Sequence, residues 1–341
     1  RILREELKKE GAHFNTQTDT EIILNAYHIW GLEKTLEKME GMFSFGLYDE
    51  SKNLVYLVRD RFGMKPMFYS RFQKSLVFAS EIKSILNYTQ HRQLNFLNSL
   101  NPIFTTGLSP RGTTMFDGVE QLEQGHYLRF DLMEETYRIK EYFHLSDWVS
   151  KDQYETIANS SNEQVLQWYE EALHESVKLH LISDAPLGVL YSAGLDSSLI
   201  TAIASNYTSE KLSLFYFESD HQNDIRFPKE FANNFNTKLI TSMGDDQNYI
   251  YKLPRMTYHY ETINKGDGLI LGNLCKLAQD NGFKSLLTGD SADEIFGGQP
   301  FHSSFLTQST YHHNKLFRNL YKAIQRFIPN TFLSYTGSDP V

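Results

Sequence analysis

The sequence predicts an α/β protein of two domains, with a mainly antiparallel-sheet domain first and a doubly wound parallel-sheet domain second. Before about residue 133, apolar residues recur with the period of two that half-buried strands show. After about residue 164, short apolar runs alternate with helical segments, as in parallel sheets covered by helices. We therefore expect a first domain over 1–140, a polar linker over 141–163 and a second domain over 164–341.

Composition narrows the class of protein. Hydrophobic residues make up 40% of the 341 residues and charged residues 22%, which is typical of a globular chain with room for two cores. The net charge of −9 disfavours a nucleic-acid ligand, because such proteins usually carry a basic excess. We expect no membrane span and no signal peptide. The single cysteine, Cys275, fits a reducing, cytoplasmic setting.

The first domain is predicted to begin with helices over 1–11 and 18–31, each ended by a glycine that suits a helix C-terminal cap. Thr18 or Thr20 is expected to cap the second helix. The strands that follow are the hairpin MFSFGLYD and LVYLVRD (42–49 and 54–60), the pair MFYSRF and SLVFAS (67–72 and 75–80), and HYLRFDL (126–132).

The second domain is predicted to open with a helix that carries apolar residues on one face: Val165, Trp168, Ala172, Leu173 and Val177. Its strands are expected at 187–191, 212–217, 238–243 and 284–289, and its further helices at 195–205, 228–235, 268–282 and 291–298. In such parallel sheets, ligands bind at the carboxyl ends of the strands.

The segment LGVLYSAGLDSSLI (187–200) ends a strand on small residues and starts a helix near Asp196. The first amides of a helix lack intrahelical partners, so a phosphate fits this turn. Three serines add hydroxyl donors: Ser192, Ser197 and Ser198. Asp196 would repel a bare phosphate, which indicates a bridging divalent cation. A capped buried helix explains the same residues without a ligand, so this segment alone leaves both interpretations open.

The segment LLTGDSADEIFGG (286–298) repeats the pattern of strand, small-residue turn, acidic cluster and helix. The helix dipole alone explains acidic residues at such a position. However, two parallel strands that end in such turns would bring Asp196 and Asp293 to one sheet edge. Two carboxylates beside a phosphate suit Mg²⁺, which takes its remaining ligands from substrate phosphates.

These motifs resemble the glutamine-dependent asparagine synthetases, in which a glutaminase domain precedes an ATP-pyrophosphatase domain. SAGLDSS (192–198) is similar to the family's S-G-G-x-D-S-S, and GDSADEIFGG (289–298) to its G-E-G-A-D-E-L-F-G-G. GMFSFGLYD…LVRDRFGMKPMFY (41–69) resembles the glutaminase signature, and TDTEIIL (18–24) the segment that holds glutamine. The resemblance implies part of an Ntn-hydrolase-type glutaminase followed by the synthetase domain, with a sequence that looks cut at both ends.

The resemblance also implies roles for individual residues. The ATP pyrophosphate would be held by Ser192, Gly194, Asp196, Ser197 and Ser198, with Mg²⁺ on Asp196 and Asp293. The adenosine would contact Tyr191, Phe217, Thr288 and Gly289. Asp290 stands where the family has the glutamate that handles the acyl-adenylate, and Asp19 would hold the amino group of glutamine.

Several residues depart from the family pattern. Ala193 and Ser291 replace glycines, and Asp290 is one methylene shorter than the family's glutamate. We expect a backbone at Ala193 that already accommodates a Cβ, so that Ala193→Gly changes ATP affinity little; an obstructing methyl would give the opposite result. In YETINKGDG, Glu261 is retained from the family's D-E-P and the proline is lost. The N-terminal nucleophile and the downstream lysine of the family lie outside these 341 residues.

The resemblance implies an ATP-dependent ligase that adenylates a carboxylate, by default aspartate, and amidates it with ammonia from glutamine. Two alternative hypotheses stay open. The substituted segments are also compatible with a relative that uses another acceptor, of the β-lactam-synthetase or peptide-cyclase kind, and Ala193 is also compatible with a non-catalytic binding protein. An N-terminal cysteine in the full-length gene would favour the first hypothesis. Small-molecule substrates are expected as ligands, without nucleic acid or membrane, and a homodimer stays open.

Two further features are interpreted as structural. Cys275 lies among apolar residues of a predicted helix, which favours a core thiol over a nucleophile. In RDRFGMKP, Asp60 is flanked by basic residues, which indicates ion pairing at the surface rather than catalysis.

Overall fold

The computed structural model describes residues 2–104, 111–218, 225–243, 249–262, 267–296 and 298. The chain divides into two compact units, Arg1–Glu170 with Asp245–Asn273, and Glu171–Gly244 with Leu274–Val341. The first unit thus takes in a segment from far along the chain.

The first unit contains the antiparallel sheets that the sequence predicts. Its early helices are α1 (Ile2–Lys9), α2 (Asp19–Trp30), α3 (Leu32–Lys38), α4 (Ile82–Thr89) and α5 (Phe96–Phe104). Its strands are β1 (Ser44–Asp49), β2 (Leu54–Arg59), β3 (Phe68–Phe72), β4 (Ser75–Ala79), β5 (Glu120–Gln121), β6 (His126–Asp131) and β7 (Thr136–Glu141). They form one sheet of order β1-β2-β6-β7 and a second of order β4-β3-β5.

Alternation along the central strand β2 explains how these sheets stack. Tyr56 and Val58 face a core shared with α3, which contributes Leu36. Leu57 points to the opposite face, where Tyr69 of the second sheet joins it in another core. A third core lies between the second sheet and α4. The first unit is therefore layered as helix, sheet, sheet and helix.

The segment predicted as a polar linker is largely helical. A 3-10 turn (Leu145–Trp148) precedes α6 (Lys151–Ala158), and α7 (Asn162–His180) follows. Ser150 and Gln153 form a reciprocal capping box at the start of α6, which gives this polar helix a defined beginning. Of the five apolar residues expected on one face of α7, only Val177 is buried.

The second unit contains the predicted parallel sheet. Its strands are β8 (Leu187–Leu190), β9 (Ser213–Glu218), β10 (Lys238–Met243) and β11 (Ser285–Leu287), in the order β10-β9-β8-β11. The later helices of the chain are α8 (Leu195–Ser205), α9 (Arg226–Asn234), α10 (Tyr249–Tyr260), α11 (Asp267–Asp280) and α12 (Ala292–Phe296). Within the described ranges, no helix is long and apolar enough to cross a membrane.

Candidate functional site: the edge of the parallel sheet

The two acidic turns follow neighbouring strands. β8 and β11 pair in parallel, with Leu287 opposite Val189. From β8 the chain builds the sheet in one direction through β9 and β10, and β11 then adds on the other side of β8. The strand order therefore reverses between β8 and β11. In open α/β sheets, the crevice at such a reversal is where ligands bind.

The two turns are also in direct contact. A Cβ built on Gly289 would lie 3.0 Å from the Cβ of Asp196 and 3.0 Å from the backbone nitrogen of Ser197. A side chain at position 289 would therefore push against the first residues of α8. Glycine at this position lets the turn after β11 pack closely on the start of that helix.

Serine hydroxyls organise the turn after β8. Ser197 is buried, and its Oγ lies 3.0 Å from Ser192 Oγ and accepts from the Ser192 amide at 3.2 Å. The Gly194 amide donates to Ser192 Oγ at 3.3 Å, and the Ser198 amide closes the first helical turn on Gly194 O at 3.1 Å. The buried Ser197 hydroxyl therefore holds the turn through its hydrogen bonds to Ser192, whereas the Ser192 side chain itself is exposed.

The backbone at Ala193 differs from our expectation. Its φ is +61°, in the left-handed region that a Cβ disfavours, so the conformation is not the one that suits alanine. Its methyl nevertheless packs against the core cluster of the second unit. Ser291, in the other turn, also has a left-handed φ of +73°. Both turns keep a backbone that suits the glycines of the family pattern while carrying other residues.

The residues assigned to adenosine differ in exposure. Tyr191 is 1% exposed and stacks on Phe231 with ring centroids 5.1 Å apart, and its hydroxyl accepts from Ser198 Oγ at 3.3 Å. Burial raises the pKa of Tyr191. Phe217 is partly buried beside a second apolar cluster. Tyr191 is therefore buried beneath the edge of the sheet, and its ring has no face open to a ligand.

Acidic residues lie on the turn after β11. The Asp290 amide donates to Thr288 Oγ1 at 2.9 Å, which fixes the backbone where α12 begins, and the Asp290 side chain is exposed. Asp293 lies one turn further, partly buried. Among the described residues, no three His, Cys, Asp or Glu side chains group as a metal site. Asp196 and Asp293 lie in the first turns of α8 and α12, and carboxylate oxygens are the type of ligand that Mg²⁺ prefers.

Asp19 lies in the first unit, exposed at the first position of α2. The loop before it is held from two sides. The buried Arg4 donates to Thr16 O at 2.8 Å and to Thr18 O at 3.2 Å. Glu21 accepts from the backbone amide of Thr16 at 2.7 Å. Thr18 is the N-cap residue, but its side chain makes no cap bond.

Two residues that hold this loop, Arg4 and Glu21, were not among the residues predicted from the sequence. The spacing Thr18-x-x-Glu21 resembles a capping box and was a usable signal. The carboxylate of Glu21 turns instead to the loop, where hydrogen bonds from the Asn15 amide and from Thr16 hold its pKa below the ordinary value. Nothing local in the sequence marks Arg4 as the residue that binds the same loop.

Two structural interpretations were wrong. Asp60 is 1% exposed, and its carboxylate accepts from backbone amides of Phe43, Phe62, Met64 and Lys65 at 2.9–3.3 Å. It organises a loop from inside and is not a surface ion pair. Cys275 is exposed and is not a core thiol, because it shares the exposed face of α11 with Gly272, Lys276 and Gln279.

The fold and the paired turns define a two-part α/β protein with a candidate phosphate site at the edge of its parallel sheet. Residues 1–143 match the glutamine amidotransferase domain family, and residues 169–334 match the asparagine synthase family. The chain is 30% identical to glutamine-hydrolysing asparagine synthetase 3 of Bacillus subtilis (strain 168), over 89% of this chain and 50% of that protein. It is 31% identical to asparagine synthetase 2 of the same organism, over 84% of this chain and 40% of that protein.

A putative asparagine synthetase of Methanocaldococcus jannaschii is 29% identical, over 88% of this chain and 51% of that protein. A solved glutamine-dependent NAD⁺ synthetase from Acinetobacter baumannii matches 88% of this chain and 73% of its own chain, with 12% identity and a TM-score of 0.27. The chain belongs to the glutamine-dependent asparagine synthetase family, a family of ATP-dependent amidotransferases and ligases. It spans about half the length of the curated relatives it matches.

Proposed function

We propose that the complete protein makes an amide from a carboxylate, ATP and glutamine, with aspartate as the default acceptor. The observation that carries this proposal is the contact of Gly289 with the start of α8, which joins two acidic turns at the reversal point of the sheet. Because Gly289 has no side chain, the two turns lie close enough together for one ligand to contact both. The family membership supplies the class of reaction.

In the first step, an oxygen of the substrate carboxylate attacks the α-phosphorus of ATP, and the bond to pyrophosphate breaks. The amides that begin α8 would bind the departing pyrophosphate, because they have no carbonyl partners inside the helix. The exposed Ser192 hydroxyl would add a donor. Asp196 and Asp293 would hold Mg²⁺, which neutralises phosphate charge when bound.

In the second step, ammonia attacks the carbonyl carbon of the acyl-adenylate, the amide forms and AMP leaves. Asp290 is exposed on the turn that contacts α8. Its carboxylate would accept the proton that the attacking ammonia loses. The amide of Asp290 is tied to Thr288 Oγ1, so the backbone that carries this carboxylate is fixed.

The ammonia would come from glutamine bound in the first unit. There, the exposed carboxylate of Asp19 would pair with the ammonium group of glutamine. Arg4 and Glu21 hold the loop that precedes this residue. They would act as positioning residues and would not touch the substrate.

A different acceptor is the second candidate, favoured by the turn after β11. Asp290 carries a shorter side chain than the family pattern, and Ser291 holds a left-handed φ of +73° beside it. A shorter carboxylate leaves space for a bulkier acyl group. Assays with aspartate and with larger carboxylates as acceptors distinguish the two candidate functions.

The test uses the full-length protein with Mg-ATP, glutamine or ammonium, and a panel of carboxylates. We expect pyrophosphate release that depends on one carboxylate, and an amide product that forms from either nitrogen source. An amide of aspartate supports the first candidate, and an amide of a larger carboxylate supports the second. Absence of carboxylate-dependent pyrophosphate release would contradict both.

A further inference from the structure

The first unit contains a cavity that the proposed function does not use. Its volume is about 450 Å³, within the range of roughly 300–1,000 Å³ that small-molecule sites occupy. Residues of the second sheet, of the start of α5 and of the segment 111–123 line it. None of the lining residues is among those assigned above to glutamine or ATP. The cavity is therefore a candidate site for a separate ligand.

The segment 111–123 folds back on itself and frames the cavity. The amide of Gln121 donates to Gly112 O at 3.1 Å, which joins the two arms of the segment. Between the arms, the buried Thr114 Oγ1 donates to Val119 O at 2.7 Å. The segment is also tied to α5, because Asn98 Nδ2 donates to Thr114 O at 3.2 Å. Since these bonds already hold the walls, a ligand would bind at a low cost in ordering.

Two opposite charges line the cavity without pairing with each other. Arg111 is exposed on one arm, and Glu123 is partly buried on the other. Within the described ranges, neither side chain makes a hydrogen bond or an ion pair. A Cβ built on Gly112, the residue after Arg111, would lie 3.4 Å from Glu123 Oε1, so glycine keeps this wall open. A gap between two unpaired, opposite charges fits a ligand that carries both charges.

Negative charge predominates among the titratable residues of the lining. The Glu120 carboxylate accepts a hydrogen bond from Tyr69 OH. Burial, this hydrogen bond and the nearby charge of Glu123 raise the pKa of Tyr69, so its hydroxyl stays protonated and remains a donor. Asp117 and His126 are the other titratable residues of the lining. Because carboxylates outnumber the single guanidinium, the cavity favours a ligand with ammonium groups over an anion.

We propose that this cavity binds a free α-amino acid. The carboxylate of the ligand pairs with the Arg111 guanidinium, whose planar fork matches a carboxylate with two parallel hydrogen bonds. The ammonium group of the ligand pairs with Glu123. Phe116 and Ile139 supply an apolar wall for its carbon chain. The excess of carboxylates in the lining predicts that a basic amino acid binds more tightly than an acidic one.

Calorimetric titration of L-lysine into the full-length protein tests this site. Asp19→Ala serves as the background, so that amino-acid binding at the proposed glutamine site does not contribute. Cadaverine lacks the carboxylate of lysine, and hexanoate lacks both of its ammonium groups. We expect L-lysine to bind at least about tenfold more tightly than cadaverine, hexanoate or L-glutamate. Absence of L-lysine binding, or equal affinity for L-lysine and cadaverine, would overturn the proposal.

Two substitutions test the individual contacts in the same background. Arg111→Met and Glu123→Gln should each weaken L-lysine binding at least about tenfold, because each removes one charged partner. Arg138→Met is the matched control, since Arg138 is exposed on β7 and does not line the cavity. It should bind L-lysine as the background does, and thermal melts verify that all three variants fold.

Binding of L-lysine that survives both Arg111→Met and Glu123→Gln would overturn the proposal. The titration contains neither ATP nor glutamine, so its outcome is independent of the proposed amide-forming reaction.

Discussion

At the scale of single residues, Ala193 and Ser291 hold left-handed φ angles of +61° and +73° in the two turns. A residue with a Cβ pays roughly 1–2 kcal/mol for this conformation, and glycine does not. Replacing such a residue by glycine removes this cost, but part of the gain in stability is offset, because glycine loses more conformational entropy on folding. The turns therefore carry a small, removable strain.

We expect Ser291→Gly to stabilise the protein by about 1 kcal/mol, or about 2–4 °C in Tm, and Ala193→Gly to stabilise it less, because that change also removes a methyl packed against the core. The affinity for Mg-ATP should change less than about threefold in Ala193→Gly, because the methyl packs against the core and not into the turn. Thermal melts and calorimetric titration measure both effects. Ala202→Gly, in the middle of α8, is the control and should destabilise. An affinity gain near tenfold in Ala193→Gly would show that the methyl obstructs the site.

Asp60 gives a second prediction at this scale. Its buried carboxylate accepts four backbone amides of its own and a neighbouring segment. Asp60→Asn replaces one acceptor oxygen by an NH₂ group that faces donors, and should cost about 2–4 kcal/mol of unfolding free energy. Urea unfolding measures it, with the exposed Asp117→Asn as the control. A loss below about 0.5 kcal/mol would show that the loop does not depend on this carboxylate.

The residues whose structural roles were not predicted from the sequence were missed for one physical reason. The serines and acids of 192–198 follow a strand directly, so their pattern is local and readable. Asp60 and Glu261 accept from backbone amides, which every residue has, and the Glu261 carboxylate caps the start of α4 at Lys83, 178 residues away. Such contacts leave no local pattern in one sequence. They become visible only when the fold brings the acceptor to the amides.

At the scale of elements, strands with alternating apolar residues were predicted well, and β1, β2, β3, β4 and β6 lie where expected. β7 was missed because nearly all its residues are exposed and its apolar signal is weak. α10 was missed because Pro254 interrupts its helical pattern. Strands that bury one face were predicted, but the short helices α3 and α4 were not, although each also buries one face.

The loop before α2 gives the prediction at this scale. Asp19→Ala in the full-length protein should raise the KM for glutamine at least about tenfold, because a charge-assisted contact to the substrate ammonium is lost. Arg4→Met should raise it less, through loosening of the loop at Thr16 and Thr18. Steady-state kinetics with glutamine and with ammonium measure both. Ammonium-driven synthesis should stay unchanged, and an equal loss with both nitrogen sources would contradict separate sites.

At the scale of the whole molecule, the sequence predicted the sheet types and the position of the two acidic turns after strands, but not the strand order. The order β10-β9-β8-β11 puts β8 and β11 side by side. That pairing depends on contacts such as Leu287 opposite Val189, between residues almost a hundred positions apart. The segment 245–273 likewise joins the first unit through tertiary contacts that periodicity does not reveal.

The central claim is that the turns after β8 and β11 form one ATP site. ATP–pyrophosphate exchange by the full-length protein, with Mg²⁺ and the acceptor carboxylate, tests it most directly. Asp196→Asn should lower exchange about a hundredfold or more while the thermal melt stays unchanged, because the substitution removes a charged oxygen from a turn and not from the core. The exposed Asp184→Asn, at the opposite end of β8, should exchange like the wild type. Exchange that survives Asp196→Asn would contradict the claim.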